Sequence, residues 1–107
     1  MTLKKAGDDD FDEKVIEASE DKPVIVDFWA DWCMACKQLK PTIEEVAEER
    51  DDVDIVEVNV DEAQKKPQKY GVRSIPNVNL FIDGELEDSF VGNRSKEDII
   101  EWIDENV

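Results

Sequence analysis

The chain has 107 residues, and 29 Asp or Glu against 13 Lys or Arg leave it with a formal net charge of -16. Such a surface repels phosphate backbones and anionic bilayers, so neither nucleic acid nor membrane is an expected partner. A hydrophobic share of 40%, including three Trp and four Phe, suffices at this length for one core, and no repeat or shift of composition divides residues 1–107, which are expected to form a single domain.

In chain order, Met1 to Gly7 carries charge but no apolar signal-type run, and no later run is long enough to cross a bilayer, so the expectation is a soluble, cytoplasmic protein. A short edge strand is expected near Leu3. Asp8 to Asp10 then suit a helix N-terminus, and Phe11, Val15, Ile16 and Ala18 follow at helical spacing. Residues 23–29, Pro-Val-Ile-Val-Asp-Phe-Trp, are apolar on both alternating faces and predict a central strand covered on both sides. From Met34 to about Arg50 the pattern turns helical, with Leu39, Ile43, Val46 and Ala47 on one stripe and Pro41 as an expected kink. Residues 53–60 alternate as a second strand, and residues 62–70 read as a weak helix interrupted by Pro67 and stopped by Gly71. Two more strands, 77–82 and 85–91, meet at Asp83-Gly84, a strong hairpin signal. Ser95 to Asp98 starts a last helix that buries Ile99, Ile100, Trp102 and Ile103. Strands separated by helices, with a late antiparallel hairpin, imply an α/β fold: a mixed sheet flanked by helices on both faces.

The chemistry concentrates at Cys33 and Cys36, the only cysteines. Opening a disulfide requires a thiolate that attacks one sulfur and passes through a mixed disulfide. Cys33 lies where the first long helix begins, so unpaired amides and the helix dipole favour its negative charge and it is expected to be the exposed nucleophile. Cys36, one turn further in, is expected to be more buried and to act as the resolving thiol. A structural bridge over so short a loop restricts the unfolded chain little. A metal site needs further Cys or His ligands, and the chain has neither, so no metal is expected without a second copy.

The segment Val26-Asp27-Phe28-Trp29-Ala30-Asp31-Trp32-Cys33-Met34-Ala35-Cys36-Lys37, with Pro41, Tyr70-Gly71-Val72-Arg73-Ser74-Ile75-Pro76, Asp83-Gly84 and Val91-Gly92, resembles the thioredoxin family from about Phe11 to Trp102. That resemblance implies the thioredoxin fold, with Asp27 as a buried acid beneath Cys36 that takes its proton; an aspartate satisfied by backbone hydrogen bonds is the alternative. It further implies a cis bond before Pro76, an Ile75 backbone that pairs with an extended substrate, and a groove in which Trp32, Met34, Ala35 and Gly92 meet the client. Two features depart from the family pattern. Met34-Ala35 replaces the usual Gly-Pro, and Glu57 stands where many members carry lysine. Glu57 either faces Asp27, raising its pKa, or points to solvent from an alternating strand.

The activity implied is reduction of protein disulfides, with no cofactor beyond the Cys33–Cys36 couple. The implied partners are a thioredoxin reductase or equivalent electron donor and disulfide-containing clients, served by a monomer. Replacing Gly-Pro by Met34-Ala35 removes a rigid turn element, so the potential is expected between about −270 and about −120 mV. Two other readings stand beside this one. One is an electron relay or isomerase, because Asp31 to Lys37 also resembles the Trp-Cys-x-Ala-Cys-Lys segment of the C-terminal domain of a membrane-bound bacterial disulfide shuttle. The other is a binding module that holds partners without turnover. The acid excess also suits a salt-rich cytoplasm, or merely a well-solvated surface.

Overall fold

The computed structural model describes residues 3–107; Met1 and Thr2, part of the N-terminal stretch considered above, lie outside the described residues. Among the described residues, five strands form one sheet: β1 is Leu3–Lys5, β2 Val24–Trp29, β3 Asp54–Asn59, β4 Asn77–Ile82 and β5 Glu85–Val91. Their order across the sheet is β1-β3-β2-β4-β5. β1 and β2 both run parallel to β3, whereas β4 is antiparallel to both β2 and β5. The α-helices that accompany them among the described residues are α1 at Met34–Glu49, α2 at Lys65–Lys69 and α3 at Lys96–Asn106. Among the described residues no helix is long and apolar enough to cross a membrane.

The period of two along β2 divides its side chains between two cores. Ile25 joins Ile55, Val78 and Leu80 beneath the stripe Leu39, Ile43, Val46 of α1 and Ile99, Ile103 of α3. Val24, Val26 and Phe28 face the other way, against Phe11, Val15, Val56, Val58 and Phe81. Phe11 anchors this second core, its ring centroid 5.5 Å from Tyr70 and 6.0 Å from Phe81. β2 therefore carries chemistry-bearing residues from the middle of the sheet, where both faces are filled.

Several local expectations change. The first helix is wound as a π-helical turn, Asp12–Glu17, that tightens to a 3-10 turn at Ala18–Glu20. The Ser19 hydroxyl donates to the Ile16 carbonyl at 2.7 Å and accepts the Gly84 N–H at 2.8 Å, so a side chain takes over where an α-helical ladder would continue. Asp8 does not serve that helix. Its carboxylate accepts the N–H groups of Gln64, Lys65 and Lys66 at 2.9–3.1 Å, capping α2 from 56 or more residues away. The cause is topological: β1 and β3 are parallel neighbours, so the residues after β1 lie beside those after β3. α2 is also shorter than the span 62–70, because the Asn59 side chain accepts the Asp61 N–H at 2.9 Å and holds residues 59–63 in a turn. β3 is buried on both faces instead of alternating, since it is an inner strand between β1 and β2. Pro41 lies inside α1, where the sequence places it.

The hairpin and last cap agree with expectation. Asp83 and Gly84 have φ of 52° and 82°, the paired positive values of a type I′ turn. The Ser95 hydroxyl accepts the Asp98 N–H at 3.1 Å.

Candidate active site

β2 ends at Trp29 and the chain turns through Ala30, Asp31 and Trp32 into α1, which sets both cysteines at the C-terminal end of the central strand. Cys33 is the N-cap residue of α1, with extended φ and ψ of −91° and 108°. Its Sγ accepts the Cys36 N–H at 3.1 Å. Sulfur thus occupies the place an oxygen usually takes in a cap, and a helix amide points at it. When the bridge is open, that amide and the helix dipole favour a thiolate there. The two cysteines are joined as a disulfide with Cα atoms 5.2 Å apart, inside the bridging range.

Cys33 is less exposed than its chemistry suggested, at 7% against 3% for Cys36. Its sulfur is covered by Cys36 and by the Ile75 carbonyl oxygen, 3.7 Å away. The Ile75–Pro76 peptide is cis, in line with the resemblance. Pro76 in turn accepts the Gly92 N–H at 2.9 Å through its carbonyl, joining the ends of β4 and β5. Gly92 has a φ of +92°, and its missing side chain leaves open space, with no atom within 4 Å of where a Cβ would stand. Around the bridge, Trp32 and Met34 are 69% and 70% exposed, and Ala35 is half-buried. The Trp32 indole donates to Asp61 at 3.0 Å, which fixes the ring over a groove of about 410 Å³ lined by Val60, Pro67, Val72, Arg73 and Ile75. Asp61 and the groove's apolar floor carry no local motif, which is why sequence alone did not single them out.

Beneath Cys36 lies a second arrangement. Asp27 is only 2% exposed, and its Oδ1 has no hydrogen-bond partner among the described residues, which disposes of a backbone-satisfied role for that oxygen. Burial pushes the Asp27 carboxyl up to about 7, Glu57 adds to the rise, and Lys40 opposes it. Glu57 is buried too and stands in register with Asp27 on the neighbouring parallel strand, so it faces the acid and not solvent. Lys40 Nζ lies 3.9 Å from Glu57 Oε2 and 5.1 Å from the centroid of the half-buried Trp29 ring. Asp27, Cys36, Lys40 and Glu57 line one cavity of about 200 Å³. Lys40 was not anticipated, although its place four residues after Cys36 puts it on the same helix face.

The sequence matches the family model described as Thioredoxin over residues 2–105. It is 46% identical over 101 residues to a thioredoxin of Rickettsia bellii (strain RML369-C), covering 94% of each chain. A thioredoxin of Rhodospirillum rubrum is 40% identical over 106 residues, 98% of this chain and 100% of that one. One from Pseudomonas aeruginosa is 42% identical over 101 residues, 94% and 92%.

Proposed function

We infer the mechanism from one premise: this chain belongs to the thioredoxin family and is a thiol-disulfide oxidoreductase. In our reading Cys33 is the nucleophile. Its thiolate attacks one sulfur of a client disulfide, the client S–S bond breaks, and the first client thiolate leaves. The Cys36 thiol then passes its proton to the Asp27 carboxylate and attacks the Cys33 sulfur, releasing the second client thiolate. The client gains two electrons, and the Cys33–Cys36 bridge holds the oxidation. Recharging needs a two-electron donor of the thioredoxin-reductase type. No cofactor enters these steps.

The observation that carries the reading is the unequal placement of the two sulfurs. Cys33 caps α1 and receives a helix amide, while Cys36 lies one turn deeper beside the cavity that holds Asp27. Glu57, in register with Asp27, modulates that acid. Exposed Trp32 and Met34, together with Ala35, Ile75, Pro76 and Gly92, form the surface on which an extended client segment docks. The reading further takes residues 1–107 as a single domain, working as a monomer in a reducing cytoplasm.

Insulin reduction with a dithiol donor tests it. Wild type is expected to accelerate precipitation of the insulin chains, and Cys33→Ser to give only the background rate. A Cys33→Ser protein that reduced insulin normally would overturn the assignment, and one that kept full biological activity would point to a binding module.

A further inference from the structure

We propose that Lys40 is a positioning residue that directs the proton leaving Cys36 onto Asp27 and away from Glu57, acting through its contact with Glu57 across the cavity. The proposal rests on the reading of Asp27 as the acceptor.

Asp27 and Glu57 are paired in register on adjacent parallel strands and are both more than nine-tenths buried. Two carboxylates so placed disfavour each other's charge, so a proton entering the cavity settles on the pair as a unit. Chemistry alone does not choose between them. The choice is made by asymmetry in what surrounds them: Lys40 approaches Glu57 to 3.9 Å, whereas Asp27 Oδ1 is left without a partner. A cation beside one carboxylate stabilises negative charge there, which leaves the other as the better place for a proton. Among the described residues, no other cation comes within 4 Å of either carboxylate.

Lys40 is also held in place. It lies on the Cys36 face of α1, and its ammonium sits over the Trp29 ring. The remaining charged groups on this cavity are Lys37 of α1 and Asp31 of the β2–α1 turn. β4 offers Asp27 only Val78 at the same register, and β1 sets Lys5 opposite Glu57 on its far side. The step itself is balanced. The Cys36 S–H bond breaks as the Asp27 O–H bond forms, and the thiolate electrons then make the new S–S bond while the client sulfur leaves with its own pair.

The test follows carboxyl ¹³C shifts against pH in the oxidised protein, where neither cysteine titrates. In wild type the Asp27 carbon should carry the step near neutral pH. Lys40→Met should lift the Asp27 midpoint by roughly half a unit or more, while Lys40→Arg should restore wild-type curves. Cleavage of a preformed Cys33 mixed disulfide at pH 7 should slow about threefold in Lys40→Met and not in Lys40→Arg. Lys40→Gln, keeping a polar chain of similar length, serves should the Met variant fold poorly. Unmoved curves in Lys40→Met and Lys40→Gln, or an Arg variant that behaves like Met, would overturn the assignment. If Asp27→Asn slows cleavage while those curves stay unmoved, Lys40 alone is removed from the account. If Asp27→Asn cleaves at the wild-type rate, the acceptor reading falls and Lys40 with it.

Discussion

At the scale of single residues, Asp27 is costly to the fold that houses it. Its carboxyl is raised from 3.8 to about 7, first by burial and then by Glu57. Between those two values the folded protein holds a proton that the unfolded chain has released. Stability contributed by this group therefore falls as pH rises across that window and levels off above it. The full shift corresponds to about 4 kcal/mol at most. Asp27→Asn is accordingly expected to raise unfolding free energy by roughly 2–4 kcal/mol at pH 8 and by almost nothing at pH 4, measured by urea titration. An equal gain at both pH values would show that the acid does not titrate as described. If Asp27 accepts the Cys36 proton as proposed, the same variant should cleave mixed disulfides more slowly at pH 8, so stability and activity move in opposite directions.

At the scale of elements, sequence reading succeeded where a local signal decides the outcome. The 77–82 and 85–91 strands, their Asp83-Gly84 turn, the Ser95 cap and the α1 stripe each depend on residues within one turn or one hairpin. The central position of β2 was legible because its apolar run leaves no face for solvent. The misreadings share one cause: partners supplied from far along the chain. For Glu57 the alternating pattern leaves two faces open, and β1 and β2 on either side of β3 decide between them; Asp8 reads locally as a cap for the segment that follows it. In the site, the Cys33–Cys36 pair was visible from spacing alone, and Asp27 and Pro76 from resemblance. Lys40 and Asp61 make contacts that no short motif records. The Asp8 cap makes a prediction of its own. Three backbone amides bonded to its carboxylate also hold its pKa below the usual value, with the Lys66 bond the largest cause. Asp8→Ala should lose hydrogen-exchange protection at Gln64, Lys65 and Lys66 while leaving the amides of α3 unchanged. Full protection of those three amides in the variant would contradict the long-range cap.

At the scale of the whole molecule, 16 excess negative charges surround an apolar groove and a cysteine pair. Ion pairs relieve the repulsion locally, as where Lys4 and Lys22 flank Asp54 at the start of β3, but they leave the net excess in place. Screening should therefore stabilise the fold, and Tm is expected to rise between low salt and molar KCl. A flat or falling Tm would mean that self-repulsion is already negligible. The acidic edge of β5, with Glu85, Glu87 and Asp88 exposed, opposes edge-to-edge pairing of copies. The proposed reaction also belongs to this scale, because it draws on the β2–α1 junction, the Ile75–Pro76 loop and the Gly92 turn together. Its central claim is a division of labour in which the sulfur capping α1 attacks and the sulfur one turn deeper resolves. Mass spectrometry of Cys36→Ser mixed with a disulfide-bonded client peptide tests this most directly. The account predicts a stable mixed disulfide on Cys33 that accumulates in Cys36→Ser and not in wild type; failure of that adduct to form, or a Cys33→Ser protein that traps the peptide equally well through Cys36, would contradict it.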